Sequence, residues 1–295
     1  MKIVLTGSLG NISKPLAEKL ILQGHSVLVI SSSTKRKKEI EDLGAIAAIG
    51  LLDDAEFLTR TFTEADAVYC MIPPNYSSPD VLEYYREIGK SYAAAIQESG
   101  VKRVLLLSSY GAHLDKGTGF IVGSHLTETI FEGIPDISLT FIRPTSFYYN
   151  FFEFIPMIKQ AGFIGGVYGG EDQLAMVSPT DIATSIAEEI NKLTDRKKVV
   201  YVCSDDRTCN EVAKVLGRAI GIPDLKWITL PQEQVLKSLK EHGMSEDSAS
   251  NLVELGTAIH TGLLREDFDK DIQSLGNVKL EEFAEEFAAK YRNQQ

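Results

Sequence analysis

Short apolar, β-branched runs alternate with longer helical runs through the first half of the 295-residue chain. Continuous apolar runs are typical of strands buried on both faces, and the longer runs between them are typical of crossover helices. This strand–helix period predicts an α/β fold with a doubly wound parallel sheet and helices on both faces. The predicted strands are Lys2–Thr6, Ser26–Ile30, Ala45–Ile49, Ala67–Ile72 and Lys102–Ser108, and the predicted helices are Asn11–Gly24, Lys37–Leu43, a helix capped by Asp53 that ends at Phe62, and Val81–Ser99.

The second half of the sequence is less regular and predicts a small C-terminal α/β cap. Its predicted strands are Leu139–Ile142, Val199–Cys203 and Lys226–Thr229, its predicted helices are Ile182–Leu193 (started by Pro179), Asn210–Gly221 and Leu280–Tyr291, and the Gly cluster Gly162–Gly170 is predicted to be a loop or turn. We therefore expect residues 1–150 to form the sheet domain. Residues 151–295 are expected to form mostly the cap, with some segments returning to the sheet.

An excess of acidic residues limits the partners of this chain. The 41 Asp and Glu against 30 Lys and Arg give a formal net charge of −11, without the Lys/Arg-rich run that direct nucleic-acid binding requires. No stretch approaches the roughly 20 apolar residues that span a bilayer, and MKIVLTGSLG does not resemble a signal peptide. Neither the cysteines (Cys70, Cys203 and Cys209) nor the histidines have metal-ligand spacing. We expect a cytoplasmic monomer or homodimer with reduced thiols, no metal and no membrane contact.

The segment Thr6-Gly7-Ser8-Leu9-Gly10-Asn11-Ile12-Ser13 lies between the first predicted strand and the first predicted helix. Gly7 permits a tight turn, Gly10 lets the backbone approach a pyrophosphate, and the helix N-terminus offers free N–H groups to that anion. The third glycine of the usual dinucleotide fingerprint is replaced by Ser13. We predict a dinucleotide site with contacts from Gly7, Leu9, Gly10, Asn11 and Ile12; a purely structural turn is the alternative.

Residues after the second strand predict which dinucleotide binds. An NAD site usually places a carboxylate there for the ribose 2′-hydroxyl, but here Ser31, Ser32, Ser33, Thr34, Lys35 and Arg36 precede the first carboxylate, Glu39. Hydroxyl and guanidinium groups bind a 2′-phosphate that a carboxylate would repel. NADP(H) is therefore favoured over NAD(H), with Ser31, Ser32, Lys35 and Arg36 as its contacts; a solvated, basic helix start is the alternative.

Other candidates follow from topology, because ligands lie outside the carboxyl ends of parallel strands. The cofactor candidates that end strands four, five and six are Met71, Ile72, Pro73, Ser108, Ser109, Pro144 and Thr145. Tyr110 is a candidate proton donor and pocket residue, with simple packing after the strand as the alternative. The aromatic residues Phe147, Tyr148 and Phe151 form a candidate pocket for a flat substrate, with packing of cap on sheet as an equal alternative.

Four segments in this order, TGSLGNIS, LSSYGAH, IRPTSFYYNF and VSPTDIA, resemble the NmrA-like family of atypical short-chain dehydrogenases/reductases. The chain is similar to its reductase branch, which includes triphenylmethane and quinone reductases. The resemblance implies a Rossmann-type domain with a small cap, binding NADP(H) in the crevice between them.

Two departures from related patterns bear on chemistry. Ile121 and His125 stand where typical short-chain dehydrogenases have Tyr and Lys, so the usual proton donor is absent; His125 remains a candidate for holding the nicotinamide ribose and for catalysis. Leu51 replaces an acidic residue common near the adenine, which leaves apolar contact there. We expect hydride transfer from NADPH to a small flat electrophile such as a quinone or dye. The alternative is a catalytically weak NADP(H)-binding redox sensor.

Overall fold

A computed structural model describes residues 1–75, 78, 80–192, 197–271 and 274–293. The chain divides into two compact units with alternating segments. Unit 1 consists of Met1–Ala112, Gly123–Arg143 and Ile182–Val200, and unit 2 consists of His113–Val122, Pro144–Asp181 and Tyr201–Gln295.

The strands, in chain order, are β1 (Lys2–Leu5), β2 (Ser26–Ser31), β3 (Ile46–Ile49), β4 (Ala67–Cys70), β5 (Arg103–Leu107), β6 (Ser138–Pro144), β7 (Ser146–Phe147), β8 (Ile164–Gly166), β9 (Gln173–Val177), β10 (Lys197–Val202), β11 (Asp205–Thr208) and β12 (Trp227–Thr229). The α-helices are α1 (Ser13–Leu22), α2 (Lys37–Asp42), α3 (Ala55–Phe62), α4 (Val81–Ser99), α5 (Ile121–Glu132), α6 (Ile155–Ala161), α7 (Pro179–Glu189), α8 (Cys209–Ala219), α9 (Gln232–Glu241), α10 (Glu246–His260), α11 (Arg265–Phe268) and α12 (Leu280–Asn293).

The principal sheet is seven-stranded, in the order β10-β6-β5-β4-β1-β2-β3. Neighbouring strands from β1 to β6 pair in parallel, for example Val4 with both Leu28 and Val68. All four residues of β4 are buried, as expected of a central strand covered on both faces. The strand order reverses between β1 and β4, which is the switch point where such sheets bind ligands. The Rossmann-type α/β prediction is confirmed.

Several local predictions need correction. Asp54, not Asp53, caps α3, because its carboxylate accepts a hydrogen bond from the N–H of Phe57 at 2.9 Å. The Gly cluster predicted as a loop contains β8, which pairs in parallel with β12 and so gains its hydrogen bonds from a distant segment. The strands β9 and β11 lie in segments with no predicted strand and pair with each other in an antiparallel arrangement. α7 ends at Glu189, and its predicted end at Leu193 lies outside the described residues.

Unit 2 contains a small sheet in the order β11-β9-β7. It also contains a buried carboxylate, Asp181, which accepts hydrogen bonds from residues much later in the chain. Asp181, at the start of α7, accepts hydrogen bonds from the Ser204 hydroxyl at 2.6 Å and from the N–H groups of Asn277 and Val278 at 3.2 and 3.1 Å. A Cβ on Gly276 would lie 2.3 Å from the same carboxylate. The VSPTDIA segment therefore anchors the chain that leads into α12.

The three cysteines are buried free thiols. Burial raises the pKa of Cys203 to about 11 and that of Cys209 to about 12, and it raises the pKa of Cys70 further still. Because the thiolate is the reactive form, we expect no labelling of the folded protein by a thiol reagent at neutral pH, and full labelling of all three cysteines in denaturant. Rapid labelling of any cysteine in the folded state would contradict the buried placement.

Within the part of the chain that the structure describes, no helix combines the length and apolar character needed to cross a membrane.

Candidate functional site

The turn between β1 and α1 requires glycine at its first position. Gly7 has φ +86°, and a Cβ there would lie 2.7 Å from Ser13 Oγ and 2.9 Å from the Met71 side chain. Ser13 is buried, and its hydroxyl donates to the carbonyl of Thr6 at 2.8 Å. The serine in place of the third glycine therefore packs the helix against the strand and also closes the turn with a hydrogen bond.

The start of α1 presents unpaired backbone donors. Ile12 precedes the helix without a side-chain cap, and the N–H groups of Leu9, Asn11 and Ile12 donate no hydrogen bond to another described residue. Gly10 and Asn11 are exposed, whereas the Ile12 side chain is buried in the core. Free N–H groups at the positive end of a helix dipole suit a phosphate. If Ile12 contacts a ligand, it does so through its backbone.

The end of β2 lies next to this turn. Ser31 is buried, and its hydroxyl accepts a hydrogen bond from Ser8 Oγ at 2.9 Å. Ser32 and Lys35 are exposed, and Lys35 and Arg36 belong to a 3₁₀ turn, Thr34–Arg36. The Arg36 guanidinium pairs with the Glu39 carboxylate at 2.5 Å while remaining half exposed. Basic groups and hydroxyls thus surround this edge, and the nearest carboxylate along the chain is already paired.

The end of β4 reaches the same turn from the other side. Thr6 Oγ1 accepts a hydrogen bond from the Met71 N–H at 2.8 Å, and the Tyr92 hydroxyl donates to the Met71 carbonyl at 2.7 Å. Ile72 is buried and Pro73 is partly exposed. Leu51, which follows β3, is 55% exposed, so its side chain is open to apolar contact. The structure therefore brings the predicted residues of β1, β2 and β4 together at the switch point.

A buried ion pair joins Glu128 on α5 to Arg143 on β6. The Arg143 guanidinium donates to both oxygens of Glu128, at 2.9 Å from Nε and 2.6 Å from Nη2. The Ser108 hydroxyl donates to the same carboxylate at 2.5 Å. Sequence analysis did not identify Glu128 as a candidate site residue. Its position on α5, three residues after His125, was the feature that could have pointed to it. Because the Ser108 proton is held by Glu128, Ser108 offers a nearby ligand only its oxygen lone pairs.

The two catalytic candidates have different environments. His125 Nδ1 lies 2.9 Å from the Ala112 carbonyl, which can only accept, so Nδ1 carries a proton. In the neutral ring, Nε2 is then an acceptor, which suits a ribose hydroxyl; it donates a proton only from the imidazolium form. Tyr110 is 4% exposed. Ser109 beside it is partly exposed. The roles of these residues stay predictions.

The remaining candidates belong to unit 2. Pro144 and Thr145 are buried, and the Thr145 N–H donates to the Val202 carbonyl at 3.1 Å. Tyr148 stacks on Phe283 with ring centroids 5.2 Å apart, and its hydroxyl donates to the Val278 carbonyl.

The aromatic candidates therefore fall into two groups. Phe151 packs edge-on against Trp227, and both Tyr148 and Phe151 are at most 2% exposed. Phe147 is partly exposed and stacks on Tyr149 at 4.9 Å. Tyr148 and Phe151 are therefore buried among aromatic rings of unit 2, whereas Phe147 is partly exposed. Their role in a substrate pocket stays a prediction.

Among the described residues, no group of His, Cys, Asp and Glu side chains is arranged to hold a metal ion. The backbone N–H groups, hydroxyls and cations at the switch point are donors of the kind that the phosphates of an organic cofactor accept. Gly7 lets the backbone turn tightly at this place, because a Cβ there would meet the side chains of Ser13 and Met71.

Comparisons with known proteins give a family for this chain and solved structures with the same fold. The chain matches the model of the NmrA-like family over residues 1–284. A curated relative, (4-alkanoyl-5-oxo-2,5-dihydrofuran-3-yl)methyl phosphate reductase of Streptomyces griseus, is 23% identical over 222 residues, which cover 75% of this chain and 74% of the relative.

Solved structures share the fold. A triphenylmethane reductase from Citrobacter sp. superposes with a TM-score of 0.81 at 19% identity, covering 98% of this chain and all of that one (100%). An NADPH-dependent quinone oxidoreductase from Escherichia coli gives a TM-score of 0.78 at 19% identity, covering 96% and 98% of the two chains. At this identity the structural likeness shows the fold alone.

Proposed function

Because the chain belongs to the NmrA-like family, we propose that it is an NADPH-dependent reductase of a small, flat electrophile such as a quinone or dye. The observation that carries the proposal is the switch-point site in unit 1. It combines a side-chain-free turn at Gly7, unpaired N–H groups at the start of α1, and an edge at Ser31–Arg36 with hydroxyls and cations. Pyrophosphate and 2′-phosphate are the ligand groups that these donors suit.

The class of acceptor follows from the missing proton donor. NADPH, when bound, supplies a hydride, and the protein must position it and exclude water. Ile121 and His125 occupy the positions of the usual Tyr and Lys, and the Nδ1–H of His125 donates to the Ala112 carbonyl. Hydride transfer to a quinone gives a delocalised anion, and hydride transfer to a cationic triphenylmethane dye gives a neutral product, so prompt protonation by the enzyme is unnecessary in both cases. An isolated ketone would generate an alkoxide that needs an acid.

The named relatives support this choice without deciding it. Two are named reductases and the third is named an oxidoreductase, and the two solved structures are named for a dye class and for quinones. We extend the proposal to a cytoplasmic protein that acts as a monomer or homodimer on a small-molecule substrate.

Stopped-flow oxidation of NADPH over a panel of quinones, triphenylmethane dyes and simple ketones tests the proposal. We expect turnover with delocalised acceptors, little turnover with ketones, and slower turnover with NADH. Tight NADPH binding without turnover of any acceptor would favour the redox-sensor alternative. Calorimetric titration then decides that case, because a sensor must bind NADP⁺ and NADPH with unequal affinity to shift a conformation. Absence of binding to either dinucleotide would rule out both functions.

A further inference from the structure

Ser8 has an unusual conformation at the centre of the β1–α1 turn. Its φ is +54°, a left-handed value that residues with a Cβ adopt at a cost and that glycine adopts freely. Its N–H donates to the Ile30 carbonyl at 3.1 Å. Glycine would satisfy the same backbone geometry with less strain, so the presence of a side chain here calls for a contact that the side chain makes.

That contact is with the end of β2. Ser8 Oγ donates to Ser31 Oγ at 2.9 Å, and Ser31 Oγ also accepts from the Ser33 N–H at 3.3 Å. Ser31 is 3% exposed, whereas Ser8 is partly exposed. The Ser31 carbonyl is held by the Gly50 N–H at 3.1 Å, which leaves little freedom at this position. Ser8 is therefore the outer member of a two-hydroxyl chain whose inner member is fixed.

The hydrogen bond between the Ser8 and Ser31 hydroxyls can reverse its direction, so that Ser31 donates and Ser8 accepts. Ser31 uses one lone pair for the Ser33 N–H and keeps a proton that it can donate to Ser8 Oγ. Ser8 would then have its own proton available for an anionic oxygen, and linked hydroxyls strengthen each other when they polarise in one direction. A carboxylate at this place would accept hydrogen bonds and repel an anion. The hydroxyl pair can instead bind a phosphate through an uncharged hydrogen-bond donor.

We propose that Ser8, backed by Ser31, donates a hydrogen bond to the 2′-phosphate of NADPH and is a specificity-determining residue in addition to the basic pair Lys35 and Arg36. The inference rests on the proposed use of NADPH. It assigns the 2′-phosphate to the space between the turn and the end of β2, and it explains why a strained residue stands where glycine fits.

The substitution Ser8→Gly tests this role cleanly, because glycine relieves the left-handed strain and removes only the hydroxymethyl group. Fluorescence titration with NADPH, NADH and 2′,5′-ADP is the measurement. We expect about a tenfold loss of affinity for NADPH and 2′,5′-ADP, the lower end of the range for a hydrogen bond to a charged group. NADH affinity should be unchanged. In a Ser31→Ala background, Ser8→Gly should cost less, because the two hydroxyls act as one chain.

The possible failures are distinguishable. If the wild-type protein binds neither NADPH nor 2′,5′-ADP, the proposed function fails and this inference fails with it. If the wild-type protein prefers NADPH and Ser8→Gly keeps the same preference, the inference is wrong and the proposed function stands. An equal loss for NADPH and NADH would show that Ser8 only shapes the turn, which also overturns the inference.

Discussion

Replacing Lys35 and Arg36 together with alanine is expected to weaken NADPH binding by roughly 10- to 150-fold, because a charge-assisted hydrogen bond typically contributes about 1.5–3 kcal/mol. NADH binding should be nearly unchanged, since NADH lacks the 2′-phosphate. Both side chains are exposed, so salt will screen them and the loss should shrink as ionic strength rises. Titration of both dinucleotides at two salt concentrations measures the effect.

The ion pair between Arg36 and Glu39 sharpens this test. At 2.5 Å, Glu39 competes with the phosphate for the guanidinium and places a negative charge nearby. Glu39→Gln is therefore expected to raise NADPH affinity. The matched control is the double variant Lys37→Ala and Lys38→Ala, which removes two neighbouring cations whose partners are Glu41 and Asp42. If this control weakens NADPH binding as much as the Lys35/Arg36 variant does, only the general charge matters and the assignment to Lys35 and Arg36 is wrong.

Replacing Glu128 with alanine is expected to destabilise the fold by about 3–5 kcal/mol, because it removes the carboxylate to which Nε and Nη2 of the buried Arg143 both donate. The side chains of both residues are at most 7% exposed, so water cannot replace the lost partner. The variant also removes the acceptor for the Ser108 proton. Equilibrium unfolding in urea, with the midpoint and slope fitted separately, measures the change.

The surface pair of Glu132 and Lys197 provides the matched control. Its atoms approach to 2.5 Å, compared with 2.6 Å in the buried pair, but both side chains are almost half exposed. Glu132→Ala should therefore cost no more than about 1 kcal/mol. A double variant, Glu128→Leu with Arg143→Leu, should recover much of the loss, because apolar replacement of a whole buried pair is often neutral. A loss at Glu128 no larger than that at Glu132 would mean that water reaches the buried pair.

Prediction from sequence worked best where structure depends on neighbours along the chain. β1, β2, β4 and β5 follow local apolar runs, and the turn at Gly7 is recognisable because its glycines are adjacent to a strand and a helix. Prediction was weaker where pairing partners lie far apart. β8 consists of three residues, two of them glycines, and becomes a strand only because β12 supplies its hydrogen bonds. No local pattern carries that information.

The same distinction applies to the candidate site. The order of residues within short segments was sufficient to identify Gly7 to Ile12 as candidate residues. It also showed that no carboxylate lies between Ser31 and Arg36. It could not identify Ser8 as the partner of Ser31, since the two hydroxyls are separated by 23 positions in the chain and meet only when β1 and β2 pair.

The sequence by itself therefore determined the family, the sheet with its crossover helices, and the place of the glycine turn after β1, because each depends on residue type and spacing within a short segment. Only the tertiary structure decided which polar groups are paired. Arg103 lies in a strand predicted from its apolar neighbours, yet it is 2% exposed and donates to the Glu189 carbonyl, 86 positions away. Arg143 similarly finds Glu128, which turns a residue at a strand end into half of a buried ion pair. Desolvation makes such groups costly unless a partner is present, and that partner is supplied by the fold.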